Sequence, residues 1–216
     1  KETHNVWTLE MLPSEGESIS DYLPGQFHFL KLYRKNSAKT EEHPFTISSS
    51  PTNKDILTST IKESGDYTST IGLTQPGDIA AIQGPFGRFS YSLYPDEKDL
   101  VFISGGVGIT PFISMLRHMK DNKADINVRM LCFNKSEKDI AFKDELAQIA
   151  SYGNPNLNVT HILSAPDTDW QDEKGYPDKE MLARLLGSGI NSKVYYLCGP
   201  PVMMKIVIKA LKDLGV

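Results

Sequence analysis

Several short islands in this chain carry residue types that hold or move charge. The densest is Ser104-Gly105-Gly106-Val107-Gly108-Ile109-Thr110-Pro111, which follows an apolar run beginning at Leu100. Its glycines make a tight turn. Thr110 is placed to cap a helix and Pro111 to occupy its first position, where a missing N–H costs nothing. Strand, glycine turn and helix start together aim backbone N–H groups at an anion, usually a phosphate. Cys198-Gly199-Pro200-Pro201 repeats the arrangement at the end of another strand. Cys198 has no base beside it in the sequence, which favours a small packed side chain over a nucleophile. In His43-Pro44-Phe45-Thr46-Ile47-Ser48, Pro44 keeps His43 extended. Alternation then puts Phe45 and Ile47 on one face and Thr46 and Ser48 on the other. An aromatic edge beside hydroxyls suits a polar ring system. Lys62 precedes Gly65-Asp66-Tyr67-Thr68-Ser69-Thr70, a hydroxyl cluster at the start of a short helix and a second anion-holding pattern. Gly84-Pro85-Phe86-Gly87 reads as a tight turn.

A dinucleotide fold that selects NAD places an acidic residue after its second strand to hold the ribose 2′-OH. Here Asn134-Lys135-Ser136 stands there instead. Lys135 favours a 2′-phosphate and the Ser136 hydroxyl can donate to one, while Glu137 dulls the preference. The same residues equally suit a solvated loop. His4, His28, His118 and His161 match no metal-ligand spacing, and no metal site is expected.

The elements that must position these islands change character midway. From Val6 to about Tyr94 short alternating runs (26–33, 55–61, 78–83) are broken by Pro, Gly, Asn and Asp, with one helical turn at 67–73. That texture predicts an antiparallel Greek-key β-barrel. After the polar, proline-led linker 95–99, strands at 100–104, 126–133, 157–163 and 193–198 alternate with helices near 111–121, 139–151, 178–187 and 200–214. This is the pattern of a parallel sheet with crossover helices. Two domains are expected, 1–98 and 99–216. The segment 165–177, with a lone Trp170, reads as a surface loop.

Bulk composition narrows the classes further. The chain has 216 residues, 39% hydrophobic and 23% charged, with a net charge of −4. That charge argues against a nucleic-acid partner. No apolar run approaches the ~20 residues of a membrane helix. Cys132 and Cys198 are too few for a disulfide framework or an iron–sulfur cluster, and a reducing, cytoplasmic setting is expected. A start at Lys1 and a stop at Val216 suggest a piece of something longer.

Taken in order, the HPFT, GDYT, GPFG, GGVGITPF and CGPP islands resemble the ferredoxin–NADP reductase superfamily over nearly the whole chain. HPFT and GDYT are most similar to the dehydrogenase module of NADPH oxidases and ferric reductases, in particular the bacterial, streptococcal-type oxidases. The resemblance implies an FAD-binding barrel and an NAD(P)H-binding α/β domain that carry hydride from NADPH to FAD. It implies that Thr46 meets the flavin near N5, that His43 faces phosphate, and that Phe45 packs on FAD, with Pro44 and Ser48 on the same strand. Lys62, Gly65, Tyr67, Thr68 and Ser69 would hold the FAD pyrophosphate. Gly105, Gly106, Gly108, Thr110 and Pro111 would receive that of NADPH. Asn134, Lys135 and Ser136 would meet its adenosine end, while Cys198, Gly199 and Pro200 would line the hydride path.

Electrons would then leave singly. In an NADPH oxidase they go to haem in an N-terminal transmembrane domain and on to O2 as superoxide, and in a ferric reductase to iron(III). Such a module would be monomeric at the cytoplasmic face of the cell membrane. The usual arginine fork for the 2′-phosphate is replaced by Asn134-Lys135, a point charge. NADPH and NADH are therefore both expected as donors, discriminated by less than about a thousandfold, roughly 4 kcal/mol. A soluble oxygenase-type reductase and a non-catalytic FAD-binding redox sensor share the same layout.

Overall fold

The computed structural model describes residues 1–35 and 40–216. The described residues divide into two compact units, 1–94 with 110–121, and 95–109 with 122–216.

The first unit contains β1 (Val6–Met11), β2 (Phe27–Tyr33), β3 (Glu42–Thr46), β4 (Leu57–Lys62) and β5 (Ile79–Phe86), with the one-turn helix α1 (Gly65–Thr68). β1 pairs with β4, and β3 and β5 flank β2, all antiparallel. The sheets β1-β4 and β3-β2-β5 are linked by a bridge between Ile47, the residue after β3, and Ser59 of β4. Alternation in β2 sends His28, Leu30 and Leu32 inward. Leu30, Leu32, Ile61 and Ile71 form the core, with Trp7, Leu9 and Phe45 packed on it. The interior is also polar. Ser48 and Ser59 are fully buried, and Ser59 Oγ lies 2.7 Å from His28 Nε2.

The unit also includes α2 (Thr110–Asp121). Ser114 Oγ donates to the Ser49 carbonyl at 2.7 Å and accepts the Gly25 N–H at 3.4 Å. Arg117 donates to the Ser48 carbonyl at 2.7 Å. Tyr91 OH and His118 Nδ1 lie 2.8 Å apart, and Thr52 bonds Asp121. The sequence places this helix with the second half of the chain, whereas its packing groups it with the first. The buried carbonyls after β3 need donors, and α2 supplies them.

The second unit is a parallel sheet of β6 (Asp99–Gly105), β7 (Asn127–Asn134), β8 (Asn156–Leu163), β9 (Glu173–Lys174) and β10 (Val194–Cys198), in the order β10-β6-β7-β8-β9. The helices are α3 (Lys143–Tyr152), α4 (Lys179–Leu186) and α5 (Pro201–Asp213). Val101, Ile103, Leu131, Ile162, Leu182 and Val207 form the core. Near-continuous apolar strands are what burial on both faces requires. Asp178 caps α4 by accepting the Met181 N–H at 2.7 Å. β7 and β8 lie to one side of β6 and β10 to the other, so the chain reverses direction beside β6. Open α/β sheets bind ligands outside the strand carboxyl ends at such a point.

Two expectations change. α3 begins at Lys143 rather than near 139, because 137–139 form a 3₁₀ turn and Ile140, Ala141 and Phe142 are buried, Phe142 at φ +59°. Trp170 is buried at 7% exposure against Ile140 and Leu163, and its Nε1 donates to the Glu173 carbonyl at 3.1 Å. The loop around it therefore anchors the sheet edge. Among the described residues no helix is long and apolar enough to cross a membrane, and no group of three His, Cys, Asp or Glu could hold a metal ion.

Candidate functional site

In the first unit, two islands far apart in sequence meet. The His43 ring stacks on Tyr67, with centroids 4.2 Å apart and planes at 27°. β3 and α1 are thus joined into one shelf. Glu41 Oε2 lies 2.9 Å from His43 Nε2, and the Arg34 guanidinium sits 5.6 Å from the Tyr67 ring centroid while donating to the Thr70 carbonyl at 2.7 Å. Arg34 was not visible as a site residue, since nothing in its neighbourhood marks it apart from an ordinary strand-end cation. Gly65 takes φ +76°, and a Cβ there would meet nothing within 4 Å. That left-handed position, three residues after Lys62, is open and leaves room for a group bearing phosphates.

Register fixes which faces the HPFT residues serve. Thr46 lies opposite Phe27 and Pro44 opposite Phe29, on the face where Phe27, Phe29 and Phe86 pack ring to ring at 5.8 to 5.9 Å. His43 and Phe45 lie opposite Leu30 and His28 on the other face, where Phe45 packs against the barrel core. Thr46 is half-buried, and so accessible to a ring laid on its face.

Ser48 belongs to the interior instead. It is fully buried; its Oγ bonds Thr58 Oγ1 at 2.9 Å and accepts from Thr60 Oγ1 at 3.0 Å. Its N–H donates to the Thr58 carbonyl at 2.8 Å, and its carbonyl accepts from Arg117. Every polar atom of Ser48 is spent on the barrel. The hydroxyl cluster of α1 is also committed. Thr68 donates to the Ser64 carbonyl, Ser69 to Asp66 at 3.0 Å and Thr70 to Tyr67 at 2.8 Å. That leaves Lys62 and the first-turn N–H groups, which no intrahelical carbonyl can satisfy, as the donors that could meet an anion here.

In the second unit the glycine bend and the loop after β10 are packed backbone on backbone. A Cβ at Gly199 would lie 2.9 Å from the Gly105 nitrogen, and one at Gly105 would lie 2.7 Å from Pro200 Cδ. A Cβ at Gly108 would fall inside contact distance of the Cys198 carbonyl oxygen. Gly105, Gly108 and Gly199 are glycine because these two loops touch. Gly106 differs, with φ +53° and open space where its Cβ would be. Thr110 is not the helix cap. A 3₁₀ turn already runs over Gly106–Ile109, so Thr110 and Pro111 continue an existing helix and are buried. The first-turn N–H groups, which no intrahelical carbonyl can satisfy, belong to the 3₁₀ turn that begins at Gly106.

Burial raises the Cys198 thiol above its usual range. Cys198 is therefore neutral at pH 7, as a packing residue should be. Iodoacetamide should alkylate it more slowly than free cysteine at pH 8. Modification at the free-thiol rate, read by mass spectrometry, would contradict its placement.

At the end of β7, Ser136 N–H and Oγ both donate to Asp139 Oδ2, at 3.0 and 2.6 Å. The backbone bond is one half of a capping box on the 137–139 turn, whose other half is the Asp139 N–H donating to the Ser136 side chain. Lys143 Nζ lies 2.7 Å from Glu137 Oε1. Ser164 N–H donates to the Asn134 carbonyl at 3.0 Å and Ala165 N–H to that of Lys135 at 2.8 Å. Ser164 thus joins the same ledge, a position that β7–β8 register discloses and sequence spacing does not.

Residues 102–209 match the oxidoreductase NAD-binding domain family, and 4–75 match an FAD-binding domain family. Cytochrome b5 reductase 4 of Rattus norvegicus is 30% identical over 72% of this chain and 30% of its own length. NADH-cytochrome b5 reductase 1 of Lodderomyces elongisporus is 32% identical over 80% of this chain and 57% of its own. The chain thus spans well under two thirds of these two relatives. The crystal structure of the flavohem-like FAD/NAD-binding domain of nitric oxide dioxygenase from Vibrio cholerae superposes with a TM-score of 0.87 at 25% identity, covering 100% of this chain and 90% of that one. With a strand-rich first unit, a parallel five-stranded second unit and these matches, the chain belongs to the oxidoreductase NAD-binding domain family, paired with an FAD-binding domain in the two-domain fold of the ferredoxin–NADP reductase superfamily.

Proposed function

We propose that the chain is an NAD(P)H:flavin oxidoreductase module that takes hydride from NADPH or NADH and delivers single electrons to a haem acceptor. In this reading 1–98 hold FAD and 99–216 hold the nucleotide. The observation that carries it is the assembly of one shelf in each unit, His43 on Tyr67 in the first and the glycine bend on the Cys198–Pro200 loop in the second. FAD, when bound, supplies the change from a two-electron donor to one-electron delivery.

The chain's own residues bind and orient. Lys62 and the α1 N–H groups hold phosphates, and Thr46 offers a hydroxyl near flavin N5. The N–H groups around Gly106 receive the nucleotide pyrophosphate, and Asn134, Lys135 and Ser136 meet its adenosine end. Cys198, Gly199 and Pro200 shape the nicotinamide end. No acid or base is required of them, since alignment is the main demand of hydride transfer.

The acceptor reading rests on the names of relatives, which include cytochrome b5 reductases and a flavohaem-type domain. The island spellings HPFT and GDYT favour transmembrane haem of an NADPH-oxidase type, with superoxide as product at the cytoplasmic face of a membrane. The relatives favour a small cytochrome as a second reading. The test is to add NADH or NADPH anaerobically to the FAD-loaded protein and follow absorbance near 450 nm. Bleaching by both, with kcat/KM values within about a thousandfold, is the expected result. An unchanged spectrum with bound FAD identifies a sensor instead.

A further inference from the structure

We propose that the second unit carries a ligand site apart from the glycine bend, a groove at the opposite edge of its sheet that takes a small hydroxylated oxyanion.

Strands β6, β7, β8 and β10 all begin at that edge. Asp99, Asn127 and Asn156 stand side by side there, in register across β6, β7 and β8. Asn156 Nδ2 donates to Asn127 Oδ1 at 2.8 Å, and Asn127 Nδ2 donates to Asp99 Oδ1 at 2.8 Å. Together with Arg129, Asn158 and Lys193 they line a groove of about 220 Å³. β6 is seven residues long, so at about 3.3 Å per residue the groove and the glycine bend lie roughly 20 Å apart. A ligand in one leaves the other free.

The two cations of the groove are positioned without being neutralised. Arg129 Nη1 donates to the Leu185 carbonyl. Lys193 Nζ donates to the Ser188 and Gly189 carbonyls at 3.0 and 3.3 Å. A carbonyl accepts a hydrogen bond but carries no net charge. Among the described residues neither cation forms an ion pair with a carboxylate. With Nη1 turned to Leu185, the Nε–Nη2 edge of Arg129 keeps the planar fork that grips a carboxylate or phosphate through parallel bonds. Lys193 adds a second positive charge, and Asn158, in register with Arg129, adds an amide.

Asp99 is the one acid in the groove, and it shapes the choice of ligand. Arg129 is in register with Val101, so Asp99 sits two residues further toward the strand starts. One of its oxygens is held by Asn127, and the other is left to accept a hydroxyl proton. The arrangement suits a molecule with an oxyanion at one end and a hydroxyl at the other. A hydroxy acid and a polyol phosphate share that chemistry. The wall holding both cations is the connection from α4 to β10, so a seated anion would tie this connection to the sheet.

The test titrates the FAD-loaded protein, saturated with NADP+ to occupy the nucleotide site, with malate and separately with glycerol 3-phosphate. Calorimetry gives affinity, and the side-chain amide resonances of Asn127, Asn156 and Asn158 locate the anion whether or not NADP+ binds. We expect one anion per chain, shifts at these amides, and slower hydrogen exchange over 186–193. The tighter of the two probes assigns the ligand as carboxylate or phosphate. Arg129→Gln and Lys193→Met should each weaken binding about tenfold or more, as loss of a charge-assisted hydrogen bond does. Flavin bleaching by NADPH should stay unchanged in both. Lys193→Met removes no bond from the sheet and keeps the test decisive if Arg129→Gln fails to fold. Binding of neither probe overturns the site, and so does binding that Lys193→Met leaves unchanged. A protein that binds these anions but shows no bleaching would refute the reductase reading alone.

Discussion

Gly108→Ala is expected to slow NAD(P)H-driven flavin reduction on the order of 100-fold and to destabilise the protein by about 3 kcal/mol. The added methyl would meet the Cys198 carbonyl and approach the Gly199 Cα at 2.9 Å. Both are backbone, so no flexible side chain can swing aside. Either β6 and β10 shift against one another or the bend opens. A displacement of an ångström at a site whose task is alignment costs on the order of 100-fold in rate. Gly106→Ala is the internal contrast. Its Cβ enters open space, so the cost is the left-handed φ of +53° alone, about 1–2 kcal/mol. Urea unfolding and stopped-flow bleaching of bound FAD would separate the two variants. Equal stability of Gly108→Ala and wild type would show that the loops are not in contact.

Stability should fall steeply as pH drops from about 6.5 toward 4, and His28 is the cause. Its ring is fully buried beneath β3 and β4, with Nε2 bonded to Ser59 and Nδ1 lacking a hydrogen-bond partner. Burial pushes its pKa from 6.5 down to about 4. The unfolded chain therefore binds a proton between these values that the folded chain refuses, and stability rises with pH wherever that is so. The contribution is complete above pH 6.5 and is lost progressively toward pH 4, amounting to roughly 3 kcal/mol at 1.36 kcal/mol per pH unit. Urea midpoints measured across pH 4 to 7 for wild type and His28→Gln would test it. The variant should be less stable at pH 7 and flatter below it. Parallel curves would assign the acid sensitivity to other groups.

The fold was readable because its signals are periodic and local. The apolar runs of β6, β7, β8 and β10 mark buried parallel strands, and Asp178 and Gly187 punctuate α4. The alternation of β2 gave its burial directly. What stayed hidden depends on partners distant in the chain. A hydroxyl such as Ser48 looks the same in sequence whether it faces a ligand or a barrel interior, and only Thr58, Thr60 and Arg117 decide it. Three glycines before Thr-Pro look like a phosphate loop, yet two of them are small because another loop lies on them. Likewise, Ser136 offers a donor until Asp139 is seen to hold its proton. Residue type was legible, whereas the direction of each proton was not.

The helix α2 has one more consequence, for anyone who would cut this chain in two. The proline-led linker invites scission near residue 98, and an N-terminal fragment ending there would keep all five barrel strands. It would also lose Ser114 and Arg117, stripping the Ser48 and Ser49 carbonyls and the Gly25 amide of their partners. The complementary fragment would carry an orphaned helix, with Phe112 deprived of Phe89 and Met115 of the backbone at Gly25. Gene fusions or domain swaps that respect the linker would therefore break the protein, and a workable exchange must transplant 110–121 together with the strands it serves.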